Sequence, residues 1–132
     1  MPKYQAFSKW CLDNGIKHPG VEFPAAFGLN GELIGMAAAK DLPPNSAFLY
    51  VPTDLHINKY TIKARAPELW FSVYEKHPEI FSKHYDHEYL RLIVYLFHEL
   101  LKEEKSFWYP YFQVISSSEI PMVWSEEELS EF

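Results

Sequence analysis

The stretch from Val21 to Pro52, VEFPAAFGLNGELIGMAAAKDLPPNSAFLYVP, has residue types that could bring backbone close to a small charged ligand. Asn30-Gly31 readily takes the positive φ that a tight hairpin demands. Gly35 stands inside the next apolar run, where a missing side chain marks a bulge or a close approach by another backbone or a ligand. The turn around Glu32 to Gly35 could therefore let backbone groups approach a small charged ligand closely.

Three other groups invite chemical readings. His84, Asp86, His87, His98 and Glu99 are of the types that ligate zinc or iron. Their spacing does not support a shared ion, because His98 lies about three helical turns, roughly 16 Å, beyond the first two histidines. Solvated or capping histidines are the better reading. Cys11 is the only cysteine and shares a helical stripe with Phe7 and Trp10, with nothing basic spaced to activate it, so packing accounts for it better than nucleophilic catalysis. Phe107, Trp108, Tyr109, Tyr111 and Phe112 could stack a nucleobase. Single-strand binders pair such rings with basic residues, whereas the charges nearby are mostly acidic, so core packing is preferred.

The elements that must position these residues follow from periodicity. Tyr4 to Asn14 reads as a helix stopped by Asn14-Gly15. Short strands flank Leu29-Asn30-Gly31, and a third strand is expected over Ala47 to Val51, after the turn Asp41-Leu42-Pro43-Pro44-Asn45. Beyond Pro52 the pattern becomes helical. Thr53 or Asp54 is a candidate cap for a segment through Arg65, and Pro67 suits the first turn of a helix ending at His77-Pro78. The longest helix is expected over Asp86 to Lys105, with Asp86 as its cap and a middle buried on most sides. Ser125-Glu126-Glu127-Glu128 reads as a capping box starting a helix of about two turns. Such a short helix suggests part of a longer protein, completion by a partner, or a docked terminal helix. The fold class is α+β: a strand-rich segment over residues 1–52 and a mainly helical one over residues 53–132.

These pieces, taken together, resemble the start of a SET-domain protein methyltransferase. The resemblance rests on Phe7-Ser8-Lys9-Trp10, Gly31-Glu32-Leu33-Ile34-Gly35-Met36-Ala37, Lys40-Asp41-Leu42 and Leu49-Tyr50-Val51-Pro52, in that order. Ser106-Phe107-Trp108-Tyr109-Pro110-Tyr111, then Pro121-Met122-Val123-Trp124 with Glu128-Leu129, resemble later segments of one subgroup. That subgroup is typified by the Rubisco large-subunit lysine and actin-histidine methyltransferases. The resemblance implies an N-terminal SET segment at 1–52, a helical insert at 53–132 and S-adenosylmethionine as cofactor. It also implies that Glu32 and Ile34 touch the cofactor's methionine part, mostly through backbone, and that Gly35 is the family's turn glycine. Arg often stands where this chain has Ile34, which removes a charge and leaves main-chain contacts possible.

The family's Asn-His motif does not occur in the sequence, and no tyrosine follows Tyr111 to match the family's active-site Tyr. The chain by itself is therefore expected not to methylate, and no catalytic residue is assigned to it. The other class of function is a non-catalytic, SET-derived interaction or scaffold subunit. A third is an α+β binding module with an exposed aromatic pocket at Phe107 to Phe112.

Composition narrows the partners. The net charge of −6 argues against a general nucleic-acid binder and suits a protein partner or protein substrate. A hydrophobic share of 48% is ample for a core and argues against disorder. The longest apolar run, Leu92 to Phe97, is too short to cross a bilayer. A lone cysteine forms no internal disulfide and fits a reducing compartment, so the cytoplasm or nucleus is expected, with an organelle left open.

Overall fold

A computed structural model describes residues 2–31, 33–81, 87–115 and 125–130. Helix α1 (Pro2–Asp13) turns Phe7, Trp10 and Cys11 inward. It ends as its sequence predicts: Gly15 takes φ +83°, its N–H donates to the Leu12 carbonyl at 3.0 Å, and the Ile16 N–H donates to the Cys11 carbonyl at 3.0 Å. These two bonds are the left-handed glycine stop that satisfies the last carbonyls of a helix.

Strands β1 (Val21–Phe27) and β2 (Leu33–Ala38) form an antiparallel pair, with Ala25 opposite Gly35, Ala26 opposite Ile34 and Phe27 opposite Leu33. Of the readings open for Gly35, a bulge or a close approach, the bulge is not there. The register shifts on the other strand, between Glu22 and Ala25, where Phe23-Pro24 interrupts the ladder and proline has no N–H to give. Gly35 instead makes room for a side chain, since a Cβ there would lie 3.3 Å from the Phe27 ring. The hairpin turn also differs in detail. Gly28 and Gly31 hold the positive φ values, +86° and +67°, and the Gly31 N–H closes the turn on the Gly28 carbonyl at 3.3 Å.

The third strand expected over Ala47 to Val51 does not form; among the described residues the sheet has two strands. Tyr50 makes only an isolated bridge, exchanging backbone hydrogen bonds of 2.7 and 3.0 Å with Lys17. Pro43 and Pro44 lack donors, and the chain from Asp41 to Tyr50 is exposed along its length, so nothing aligns it into a ladder.

The helical part begins with a 3₁₀ turn at Thr53–Leu55. Helix α2 (Lys59–Arg65) is capped by Asn58 and not by Thr53 or Asp54: the Asn58 carboxamide oxygen accepts from the N–H groups of Tyr60 and Thr61, and the Thr61 hydroxyl accepts from the Asn58 N–H. Asn58→Ala leaves both donors without that partner and is expected to cost about 1 kcal/mol, read as a lowered melting temperature. Pro67 opens α3 (Pro67–Leu69), which runs on into a wide π turn at Trp70–Tyr74. Helix α4 (Pro78–Phe81) follows, then α5 (His87–Leu100), α6 (Tyr109–Phe112) and α7 (Glu126–Leu129).

Leu55, Ile62, Ala66, Leu69, Tyr74, Phe81, Tyr95 and Trp108 form the buried core, and Trp10, Ile16 and Val51 pack against it from the N-terminal side. Burial pushes the Tyr74 phenol up to about 12, and its hydroxyl donates to the Arg91 carbonyl at 2.9 Å.

Helix α5 corrects the expectation twice. It stops at Leu100 and not at Lys105, because a 3₁₀ turn at Glu103–Lys105, with Glu103 at φ +51°, reverses the chain and carries Ser106 back to Glu99. Its middle is not buried on most sides either. Tyr95 and Glu99 are buried, whereas Ile93 and Phe97 are 48% and 63% exposed, because the neighbouring elements cover only one flank. Asp86, its expected cap, lies outside the described residues.

Candidate functional site

The hairpin carries the residues singled out for cofactor contact. Ile34 is half-buried on β2 opposite Ala26, and Gly35 follows it opposite Ala25. Glu32 lies outside the described residues. Successive residues of an antiparallel strand turn their N–H and C=O groups alternately toward the partner and away from it. β2 pairs only with β1 among the described residues, so its other edge presents backbone donors and acceptors with no ladder partner. Such an edge can bind the amino and carboxylate ends of an amino-acid-like ligand. The hairpin offers one such edge at Ile34 and Gly35.

Behind the sheet, Phe7, Cys11, Phe23, Met36 and Leu49 line a cavity of about 210 Å³. Burial pushes the Cys11 thiol up to about 11, so at neutral pH it is a thiol and a poor nucleophile. The packing reading of Cys11 holds.

A ring cluster joins α1 to α6. Trp10 sits 5.7 Å from Trp108 and 5.2 Å from Phe107, and Phe7 lies 5.9 Å from Tyr111. Every residue from Phe107 to Phe112 is partly or fully covered, which favours the core reading and goes against an exposed aromatic pocket. Sequence reasoning missed what surrounds the rings. The Trp108 indole N–H donates to the Tyr95 hydroxyl at 2.8 Å, and the Arg65 guanidinium stacks 4.0 Å above the Phe107 ring while donating to the Asp54 carbonyl at 3.1 Å. These partners are far apart in the chain, and no short-range pattern announces them.

Of the residues considered as metal ligands, His84 and Asp86 lie outside the described residues, and so does the side chain of His87. Glu99 is a structural anion. One oxygen receives the Lys102 ammonium at 2.6 Å and the other accepts from the Ser106 hydroxyl at 2.7 Å, which in turn accepts from the Trp108 N–H at 3.1 Å. His98 stands 3.5 Å from Glu99 and 3.9 Å from Glu68 on α3. Among the described residues no three metal-ligating side chains gather.

The Ser106–Tyr111 segment of the resemblance thus forms core and the hairpin segment forms an open edge, while Pro121–Trp124 lies outside the described residues. Among those residues no helix is long and apolar enough to cross a membrane.

Over 131 residues, 98% of its length, the chain is 30% identical to the chloroplastic ribulose-1,5-bisphosphate carboxylase/oxygenase large subunit N-methyltransferase of Pisum sativum. The match covers 24% of the pea protein, so the chain spans about a quarter of the curated relative it matches. No family model and no solved structure matches. The chain is therefore similar, almost end to end, to a quarter of a protein methyltransferase.

Proposed function

We propose that this chain is the N-terminal segment of a SET-type protein N-methyltransferase, with residues 1–52 as the N-terminal SET segment and residues 53–132 as its helical insert. The observation that carries the reading is the 30% identity to the pea enzyme over nearly the whole chain. In it, the Glu32–Gly35 backbone binds the methionine end of S-adenosylmethionine.

Methyl transfer from a sulfonium is an in-line displacement: a neutral nitrogen lone pair forms the new N–C bond, the S–C bond breaks, and the nitrogen then loses a proton. The protein's main task is alignment, which can supply several kcal/mol of the barrier reduction. Alignment needs a closed cofactor pocket, a channel for the acceptor side chain and a polar group to orient the nitrogen. The hairpin answers to part of the first. Nothing in the 132 residues matches the family's Asn-His motif or its late tyrosine, so those parts come from another stretch of polypeptide and this chain alone does not methylate. The acceptor is a lysine or histidine of a protein substrate. The cytosol or nucleus remains the expected location, and the chloroplastic relative keeps an organelle in view.

The test is a radiolabelled methyl-transfer assay against protein acceptors, run on this chain and on its fusion to the part of the pea enzyme outside the matched quarter. Transfer by the fusion alone is expected. Turnover by the unfused chain would refute the half-site reading. Failure of a folded fusion to bind cofactor would move the chain to the second reading, a non-catalytic SET-derived scaffold, which the unpaired edge of β2 and the uncovered face of α5 also suit.

A further inference from the structure

Helix α5 is apolar on two sides. One side, centred on Tyr95, is in the core. The other is an arc of about 120° formed by Tyr89, Leu90, Ile93, Phe97 and Leu100 and continued by Leu101 just past the helix end, where the Leu101 N–H still donates to the Phe97 carbonyl at 3.0 Å; each of the six is between 40% and 83% exposed. Leu90, Ile93, Phe97 and Leu100 recur at spacings of three and four, which is the a/d seam of two heptads. Beside the seam, Leu92, Leu96 and Leu100 line a groove of about 450 Å³ with Ile57 and Phe112. No charged side chain interrupts the arc. A surface of this kind marks an interaction site.

We propose that the occupant is the α5 of a second copy, packed antiparallel across a two-fold axis. Two features select it. The six positions are separated by one, three, four, three and one residues, which reads the same in both directions. A two-fold axis crossing the exposed arc at the height of Tyr95 along the helix therefore sets Tyr89 against Leu101, Leu90 against Leu100 and Ile93 against Phe97, each contact made twice. The exposed area is also sufficient: at about 200 Å² for a large side chain the arc offers on the order of 600–700 Å² per copy, close to the ~800 Å² per partner of a standard interface. Charge selects the antiparallel sense, because parallel packing would bring the exposed Glu103 and Glu104 of both copies together. Each copy carries −6, so the two repel at long range and the dimer tightens as salt screens them.

Sedimentation equilibrium of the 132-residue chain tests this. The expected result is a mass of twice 15.5 kDa at tens of micromolar, with a dissociation constant that falls as salt rises. Phe97→Glu and Leu101→Glu each shift the dissociation constant at least a hundredfold while keeping the wild-type circular dichroism; if Phe97→Glu unfolds the chain, the more exposed Leu101→Glu decides. Leu33→Glu, on the exposed hairpin, leaves the dimer intact. Mixed Tyr89→Cys and Leu101→Cys chains cross-link under mild oxidation. A monomer under all conditions would overturn the proposal, including one whose arc is covered only after fusion to the rest of a SET polypeptide. A dimer that survives both α5 substitutions, or a Leu101→Cys chain that cross-links to itself, would overturn it too.

Discussion

Trp108→Ala is expected to lower the stability of the chain by about 3–5 kcal/mol, enough to leave it largely unfolded at 37 °C if its total stability is in the usual range of about 5–15 kcal/mol. Trp108 is 3% exposed and sits where α1, α5 and the Ser106 turn meet. Truncation leaves a cavity, removes the Trp10 and Phe107 ring contacts, and strips the Tyr95 hydroxyl of its indole donor. Tyr95 is itself 1% exposed, so water has little access to replace that donor. Trp108→Phe keeps most of the volume and loses the hydrogen bond, with an expected loss of about 1–3 kcal/mol. Urea denaturation followed by circular dichroism separates the two. Equal, small effects of both substitutions would show that the rings of α1 and α6 do not hold the N-terminal helix to the helical core.

Glu99→Gln is the second large effect, and its signature is in pH. Burial, the largest single influence on this carboxyl, pushes its pKa up; the Lys102 ammonium, the Ser106 hydroxyl and the neighbouring His98 together outweigh it and hold the group below its ordinary value of 4.5. A carboxyl depressed in the folded state contributes stability that is fully present above its unfolded value and is lost as pH falls through its folded one. The wild-type melting temperature should therefore drop on acidification below about pH 4.5 more steeply than that of Glu99→Gln. At neutral pH the variant is expected to be less stable by about 1–3 kcal/mol, because a buried charged acceptor is replaced by an amide that cannot serve both donors. The two chains should converge in acid. Parallel melting curves from pH 7 to pH 3 would mean that Glu99 carries no net favourable charge interaction.

Local chemistry was legible in the sequence and long-range partnership was not. Gly15 stopped α1 and Pro67 opened α3, because each acts through its own backbone angles. The hairpin was placed by the turn residues between two apolar runs, although its bulge falls at Phe23-Pro24 and not at Gly35, where only the folded position of the Phe27 ring explains the glycine. The third strand failed for a tertiary reason: Leu49-Tyr50-Val51 has strand-like residues, but only Tyr50 finds a partner in Lys17. The apolar circumference of α5 gave the helix correctly and its burial incorrectly, since periodicity records which faces are apolar and says nothing of what covers them. The Ser106-to-Tyr111 segment reads as a motif in the sequence and is core in the fold, with partners, Trp10, Arg65 and Tyr95, well outside any local window. At the candidate site the hairpin was readable because turn residues act locally; under the proposed function the rest of the cofactor pocket belongs to another stretch of polypeptide.

Isothermal calorimetry of S-adenosylmethionine tests the central claim most directly, with three samples: this chain, its fusion to the part of the pea enzyme outside the matched quarter, and the fusion bearing Gly35→Val. Binding is predicted for the fusion alone, with no heat from the unfused chain and at least tenfold weaker affinity in the variant, where the branched side chain runs into the Phe27 ring, 3.3 Å from the added Cβ, and displaces the hairpin that offers the β2 edge. A folded fusion that binds no cofactor, or one that binds it equally well with Gly35→Val, would contradict the account.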